Sequence, residues 1–246
     1  MQIASYSVSD IGKLRQQNQD YIFSSEIPVG PLPNLFIVAD GMGGYKGGEF
    51  ASKCAVETLV GEVNLSQARG SVRILRDAIN VANSKVRYIA GSDENYRGMG
   101  TTLVVAVFEK ESMIVANVGD SRLYRIGKDI RQITMDHSLV EEMVRMGQIE
   151  RTDARLHPDK NIITRAIGVL DVVDIDFFEV EDLHVGDMIL MCSDGLCNMV
   201  EDTEIAGIVR SGGTLEEKAN RLITAANLNG GRDNISVNLI EIMSME

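Results

Sequence analysis

Hydrophobic residues along the chain follow two periods, and these separate strands from helices. Short apolar runs that end at glycine or aspartate predict buried strands, the clearest being 35–39, 114–118 and 188–192. From Phe50 the apolar positions recur every three or four residues, which predicts a helix over 50–63. The same spacing over 72–89 predicts a second helix, which Gly91 is placed to end.

Four of the predicted strands form two hairpins, 101–109 with 112–118 and 122–125 with 130–134. Further strands are predicted at 3–8, 21–25, 172–180 and 235–242, a short helical segment at 138–146, and a helix after the capping box Thr214-Leu215-Glu216-Glu217. Strands in hairpin succession, with helices grouped in pairs, favour antiparallel sheets flanked by helices over alternating strands and helices. The predicted fold class is therefore α+β.

The composition predicts a single domain spanning residues 1–246. The 246 residues are 44% hydrophobic, which suffices for one large core, and no Pro- or Ser-rich linker divides them. Polar and irregular residues between the helical segment at 138–146 and Gly168 predict a surface insertion.

Charge and cysteine content limit the partners and the compartment. A net charge of −12 disfavours nucleic acid and anionic membranes as partners, since both select basic surfaces. The three cysteines have no CxxC spacing, and no apolar run approaches the length of a membrane span. We therefore expect a cytoplasmic protein without a zinc site or a disulfide framework.

Four aspartates stand at strand ends. Asp40, Asp120 and Asp194 follow apolar runs, and Asp233 precedes the terminal strand. A carboxylate at the mouth of a buried strand needs a partner, because desolvating an unpaired charge costs several kcal/mol. Carboxylate oxygens without nearby HxH or CxxC suit Mg²⁺ or Mn²⁺, so we expect one shared acidic metal site.

Such a site favours hydrolysis at phosphorus. A carboxylate that bridges two divalent ions makes the water between them acidic enough to attack as hydroxide near neutral pH. Arg15 could grip two phosphate oxygens with its planar guanidinium, and Asp20 could orient a water bound to the metal.

Competing interpretations are poorly supported. Gly41-Met42-Gly43 begins a dinucleotide fingerprint but meets Lys46 where the third glycine should stand, and no Walker A pattern occurs. No cysteine is followed six residues later by arginine, which disfavours a cysteine-based phosphatase. Asp174-Ile175-Asp176 has Phe178 where an aspartyl-phosphate motif would have Thr or Ser, and is predicted to be strand surface.

Six motifs, in this order, resemble those of the protein phosphatase 2C family, especially its compact bacterial members. They are Arg15-x-x-Asn18-Gln19-Asp20, Val38-Ala39-Asp40-Gly41-Met42-Gly43-Gly44, Gly100-Thr101-Thr102, Val118-Gly119-Asp120-Ser121-Arg122, Ser193-Asp194-Gly195 and Gly231-Arg232-Asp233-Asn234. The resemblance implies a metal-dependent phosphatase acting on phosphoserine and phosphothreonine in proteins. It also implies a β-sandwich of two antiparallel sheets with a pair of helices on each side.

The resemblance also implies roles for single residues. Asp40 would bridge two Mn²⁺ or Mg²⁺ ions, Asp194 and Asp233 would complete the first ion's ligands, and the Gly41 carbonyl would contribute to the second. Asp120 would hold a weaker third ion together with Asp194. Arg15 would bind the substrate phosphate and Asp20 would position a water on the metal. The insertion at about 137–168 matches the family's flap.

Partners are implied only by the resemblance. They are phosphorylated proteins and a cognate Ser/Thr kinase whose action the phosphatase would oppose in bacterial signalling, and we expect a monomer. Many eukaryotic members have a histidine, proposed as the general acid, where this chain has Met42, which cannot donate a proton. A water on the metal is the first candidate for that acid here. His137, His157 and His184 are predicted to be structural or solvated.

The sequence leaves two other functions open. A catalytically silent relative could bind phosphoproteins or a kinase, but it would be expected to lack one of the metal aspartates, and all of them are present. A metal-dependent phosphatase could instead act on small phosphate esters, and only an assay would separate these.

Overall fold

The computed structural model describes residues 1–245, and its strands form two antiparallel sheets. In spatial order, the first sheet contains β1 (Gln2–Asp10), β11 (Ile235–Ser244), β10 (Met188–Cys192), β7 (Arg122–Ile126) and β8 (Ile130–Gln132). The second contains β2 (Asp20–Ser25), β3 (Leu35–Met42), β5 (Leu103–Phe108), β6 (Met113–Val118) and β9 (Asp176–Val180), and β4 (Gly100–Thr101) pairs with the end of β3.

Helices cover the outer faces of both sheets. The pair α1 (Gly44–Leu65) and α2 (Ser71–Ser92) packs on the second sheet, while α5 (Asp194–Cys197), α6 (Asp202–Arg210) and α7 (Leu215–Leu228) pack on the first. Two short helices, α3 (Leu139–Arg145) and α4 (Arg151–Ala154), lie in the segment 137–168, and Glu94–Tyr96 forms one 3₁₀ turn. Each helix in residues 1–245 is too short or too polar to cross a bilayer.

Side chains of the central strands alternate between two hydrophobic layers. In β3, Phe36 and Val38 point between the sheets, whereas Leu35, Ile37 and Ala39 point towards α1 and α2. Because both faces of these strands are buried, they are continuous apolar runs and not alternating ones. Full burial of such a side chain contributes about 1.5–3 kcal/mol. The predicted sandwich, flanked on each side by helices, is confirmed.

Some boundaries differ from the sequence prediction. Helix α1 begins at Gly44, several residues before the predicted start, because its first turns contain glycines that carry no apolar period. Strand β9 begins at Asp176 and not at residue 172. Helix α6 was not predicted, although it buries Ile205, Ala206 and Val209 at helical spacing.

The segment 137–168, called the flap below, leaves the sandwich beside the ends of β3 and β6. Its two ends are joined by a bridge between Ser138 and Ile163 and continue into a bridge between Thr101 and Ile167. The flap therefore stands next to the edge where Asp40 and Asp120 emerge.

Candidate active site

The end of β3 holds Asp40 in a fixed position. Its backbone N–H donates to Thr102 Oγ1 (3.0 Å), and its carbonyl accepts from the Thr102 N–H (2.9 Å) and from Thr101 Oγ1 (2.9 Å). Asp20, the first residue of β2, lies directly opposite Asp40 in the antiparallel register. Two aspartates from adjacent strands therefore stand side by side at one edge of the sheet.

Gly41 follows Asp40 where the strand runs against the start of α1. Its N–H donates to the Gln19 carbonyl (3.0 Å), and a Cβ at this position would lie 2.0 Å from the Gly48 carbonyl oxygen. Ser52 of α1 donates to the same Gln19 carbonyl at 2.6 Å. Only glycine allows this approach, so the Gly41 carbonyl is held by close packing on both sides.

The first sheet supplies Asp194 and a link to Asp20. Ser193 Oγ, fully buried at the end of β10, donates to Asp20 Oδ2 (2.7 Å) and accepts from the Ser236 N–H (3.0 Å). Asp194 begins α5, where Asn198 Nδ2 donates to its Oδ2 (2.9 Å), and it lines the same cavity as Asp40. The two sheets therefore meet through their carboxylates.

Asp233 and Arg15 meet from opposite ends of the chain. Arg15 Nη2 donates to Asp233 Oδ2 at 2.6 Å, and the Asn234 N–H donates to Asp233 Oδ1 at 2.8 Å. The guanidinium is about half exposed, with 48% of its side chain accessible. Arg15 therefore keeps one side open to an incoming anion.

Asn234 ties the loop that carries Arg15 to the start of β11. Its Nδ2 donates to the carbonyls of Ile11 and Gln17 (both 2.9 Å), and its Oδ1 accepts the Gln19 N–H (2.8 Å). The sequence interpretation quoted Asn234 within a motif but gave it no role. The available signal was an asparagine next to a site aspartate at the start of a predicted buried strand. A buried amide needs several hydrogen-bond partners, which predicts that Asn234 ties neighbouring segments together.

Asp120 stands at the end of β6, and Thr102 connects it to Asp40. Thr102 Oγ1 and Ser121 Oγ are 2.7 Å apart, and Gly119, with φ of +107°, packs against the Thr102 side chain. The hydroxyl of Thr102 that faces the Asp40 backbone thus also faces the turn that contains Asp120.

An open cavity of about 510 Å³ collects these groups. Six of the seven predicted site residues line it, and Asp20 lies buried behind them. The flap contributes Asn161 and Ile163. The lining consists of Arg15, Gln16, Gln17, Gln19, Asp40, Gly41, Met42, Gly43, Gly44, Thr102, Asp120, Asn161, Ile163, Asp194 and Asp233.

Burial and mutual repulsion raise the pKa values of the clustered carboxyl groups. Burial, then the charges of Asp194 and Asp233, raises the pKa of Asp20 to about 7, while its Ser193 hydrogen bond opposes the shift. Burial and the charge of Asp233 raise the pKa of Asp194 to about 6. The pKa values of Asp40 and Asp120 also lie well above the ordinary value, first because of burial and then because of neighbouring carboxylates. The protein alone does not balance this negative charge.

The donor set fits a hard divalent cation held in part by water. Within residues 1–245, no N–H or O–H group donates to Asp20 Oδ1 or Asp194 Oδ1, although both atoms are buried. In the same part of the chain, no three His, Cys, Asp or Glu side chains are gathered closely enough to hold an ion by themselves. Mg²⁺ in particular keeps several waters and takes only one or two carboxylates, so an open acidic cavity suits it better than a closed cage.

Met42 lines the cavity, and its thioether cannot donate a proton. None of the cavity's lining residues is a histidine. His137 is buried and hydrogen-bonded, and His184 is largely exposed, in agreement with their predicted structural and solvated character.

Comparison with known proteins identifies the family. The sequence pattern of the family described as protein phosphatase 2C matches residues 13–228. Serine/threonine phosphatase stp of Listeria monocytogenes is 42% identical over 240 residues, which cover 95% of this chain and 93% of the relative.

Solved structures agree with this match. Serine/threonine phosphatase Stp1 from Staphylococcus aureus superposes with a TM-score of 0.92 at 34% identity, covering 99% of this chain and 96% of that chain. The catalytic domain of the serine/threonine protein phosphatase PstP, in complex with two manganese ions, superposes with a TM-score of 0.84 at 28% identity, covering 98% and 99%. The predicted fold and the predicted class of enzyme, a phosphoprotein phosphatase, are confirmed by these relatives. The chain belongs to the protein phosphatase 2C family.

Proposed function

We propose that the chain removes phosphate from phosphoserine and phosphothreonine in proteins, with Mn²⁺ or Mg²⁺ held by Asp40, Asp194, Asp233 and the Gly41 carbonyl. The observation that carries the proposal is the convergence of these groups with Arg15 on one cavity. The two manganese ions named for the PstP structure support a pair of ions in this site. Divalent ions, when bound, supply the Lewis acidity that makes water nucleophilic near neutral pH.

Arg15 binds the phosphate group of the substrate. Its Nη2 already donates to Asp233, and the half-exposed side chain lines the cavity. A planar guanidinium offers a fork that matches two phosphate oxygens. The hydrogen bond to Asp233 thus orients Arg15 for an anion that enters above the carboxylates.

Asp20 acts from behind the site as an acceptor. One carboxylate oxygen is fixed by Ser193, and the other lies buried beside Asp40 without a donor in residues 1–245. The free oxygen can hold and orient a water molecule that enters the cation site. Asp20 is therefore a positioning residue and not a ligand.

Asp120 is proposed to hold a weaker third ion together with Asp194. Both residues line the cavity, and burial and then the charge of Asp194 raise the pKa of Asp120. Asp120 reaches the cavity from its flap side, since both residues also line a neighbouring cleft under the flap. A single carboxylate pair on an open edge suits an ion that is bound less tightly than the inner two.

The whole chain, residues 1–246 with a flap at 137–168, is proposed to act as one catalytic domain and as a monomer that opposes a Ser/Thr kinase in the cytoplasm. Three buried free thiols are compatible with a reducing compartment. Phosphorylated proteins are the proposed substrates, because the related proteins are named serine/threonine phosphatases.

A substrate panel tests the proposal. Purified protein with Mn²⁺ is assayed on a phosphothreonine peptide, p-nitrophenyl phosphate and a sugar phosphate, each with EDTA as a second arm. We expect Mn²⁺-dependent turnover with the highest kcat/KM on the peptide. The variant Asp40→Asn, prepared in the same way, reports contaminating phosphatases. Preference for the sugar phosphate would reject the protein substrate, and no Mn²⁺-dependent turnover of any substrate would reject the enzyme.

A further inference from the structure

His137 is buried at the junction between the flap and the turn that carries Asp120. Only 5% of its side chain is accessible, and it lies outside the lining of the catalytic cavity. It is the first residue of the flap and follows Asp120 by seventeen positions in sequence. It nevertheless contacts Gly119, the residue that precedes Asp120.

His137 forms hydrogen bonds with both backbone polar groups of Gly119, one through its own backbone and one through its imidazole. The His137 N–H donates to the Gly119 carbonyl (2.9 Å), and the Gly119 N–H donates to His137 Nδ1 (3.0 Å). Because Nδ1 accepts, the ring proton of neutral His137 resides on Nε2. Nε2 then donates to Asp176 Oδ2 at 3.0 Å.

Asp176 and Arg165 complete the cluster. Arg165 Nη1 donates to Asp176 Oδ1 (2.8 Å), and its Nη2 contacts the exposed Asp174 (3.0 Å). Arg165 lies near the C-terminal end of the flap. Asp176 is the first residue of β9 and pairs with Asn117 of β6. The cluster therefore joins both ends of the flap to the second sheet and to Gly119.

Gly119 has little freedom to move without Asp120. Its backbone is left-handed, with φ of +107°, and a Cβ there would lie 2.7 Å from the Thr102 side chain. Thr102 supports this turn on one side, and His137 supports it on the other. Packing against Thr102 and the hydrogen bond to the imidazole therefore both hold the residue that immediately precedes Asp120.

We propose that His137, oriented by Asp176, is a positioning residue that fixes the Gly119–Asp120 turn and couples the flap to the affinity of Asp120 for a divalent ion. The proposal rests on the proposed cation-binding role of Asp120. It assigns a purpose to a histidine and an aspartate that the sequence interpretation had treated as structural and as strand surface.

Two substitutions of His137 separate the two contacts. In His137→Asn the amide oxygen lies near the position of Nδ1 and can still accept from Gly119, but the side chain no longer reaches Asp176. In His137→Gln the amide reaches towards Asp176, but no acceptor remains at the Nδ1 position.

Mn²⁺ alone is titrated into each protein, and the concentration of free Mn²⁺ is measured by electron paramagnetic resonance. We expect His137→Gln to weaken the weakest Mn²⁺ site about tenfold, which is the smaller effect typical of residues that hydrogen-bond to metal ligands. His137→Asn should weaken this site less.

Activity supplies a second readout. Turnover of a phosphothreonine peptide by His137→Gln should be low at limiting Mn²⁺ and should recover at high Mn²⁺. Because Mn²⁺ also stabilises the fold, circular dichroism of each variant at limiting Mn²⁺ checks that the protein is folded before the ion is added. The variants Asp176→Ala and Asp174→Ala form a matched pair, because each removes one carboxylate from Arg165 and only Asp176 touches His137. Asp176→Ala should weaken Mn²⁺ binding several-fold, and Asp174→Ala should leave it unchanged.

Asp120→Asn separates failure of this proposal from failure of its premise. If Asp120→Asn binds as many Mn²⁺ ions as the wild type, with unchanged affinities, the cation site at Asp120 and the role of His137 are both rejected. If Asp120→Asn loses an ion while His137→Gln and Asp176→Ala bind Mn²⁺ as the wild type does, only the role of His137 is rejected.

Discussion

Gly41→Ala is expected to destabilise the protein and to inactivate it, because β3 and α1 meet there without room for a methyl group. The added Cβ would lie 2.0 Å from the Gly48 oxygen and 2.7 Å from the Gln19 oxygen, whereas real Cβ contacts are essentially never below 3.0 Å. The strand end and the helix start must therefore separate by about 1 Å. Overpacking of this kind costs about 1–3 kcal/mol, and a displacement of about 1 Å at a catalytic group can cost about 100-fold in rate.

Gly61→Ala is the matched control. Gly61 lies on the exposed face of the same helix α1, and a Cβ there meets no atom within 4 Å. Alanine should stabilise this helix by about 0.5–1 kcal/mol and leave activity unchanged. Urea denaturation gives both stabilities, and kcat on a phosphothreonine peptide gives both activities. If Gly41→Ala were as stable and as active as Gly61→Ala, the claim that close packing holds the Gly41 carbonyl in place would be refuted.

Three further predictions concern the charged groups of the cavity. Asp40→Asn should lower kcat by about a thousandfold, as for other key electrostatic groups, and weaken Mn²⁺ binding in calorimetry; a wild-type rate would contradict its bridging role. Arg15→Lys should lower kcat/KM on a phosphopeptide about tenfold or more, since the loss of one charge-assisted hydrogen bond costs about 1.5–3 kcal/mol; an unchanged value would exclude the guanidinium fork. In EDTA, the free energy of unfolding should fall as pH rises from about 4 to about 7, because Asp20 and Asp194 have raised pKa values in the folded protein, which therefore binds more protons than the unfolded chain. Urea titrations across this range test the sign, and a stability that rises with pH in EDTA would show that other groups dominate.

The sequence predicted those features that depend on local pattern. The apolar runs that end at Asp40 and Asp194 are buried strands, and the capping box at Thr214 and Glu217 forms as predicted. These predictions succeeded because hydrophobic periodicity and helix capping depend on residues that are close in sequence. The assignment of the family then supplied the arrangement of the sheets, which the pattern alone could not give.

The features that the sequence did not predict depend on contacts between distant residues. Asn234 holds the loop around Ile11 and Gln17, more than two hundred positions away, and Ser193 donates to Asp20 across the two sheets. Gly48 must be small because Gly41 lies against it, and neither residue reveals this alone. Such pairings follow from the packing of the sandwich, so no window of sequence contains them.

The way the cavity is assembled implies that binding and folding are coupled. Asp20 and Asp40 come from one sheet, and Asp194 and Asp233 lie at strand ends of the other, so the carboxylates come together only when the two sheets pack. Burial of these carboxylates, and then their mutual repulsion, opposes this packing, as the raised pKa values show. A divalent ion that binds only the packed arrangement therefore stabilises the whole fold, by about 2.7 kcal/mol at a hundred times its dissociation constant. Carboxylates that are costly to fold without an ion are for the same reason ready to receive one.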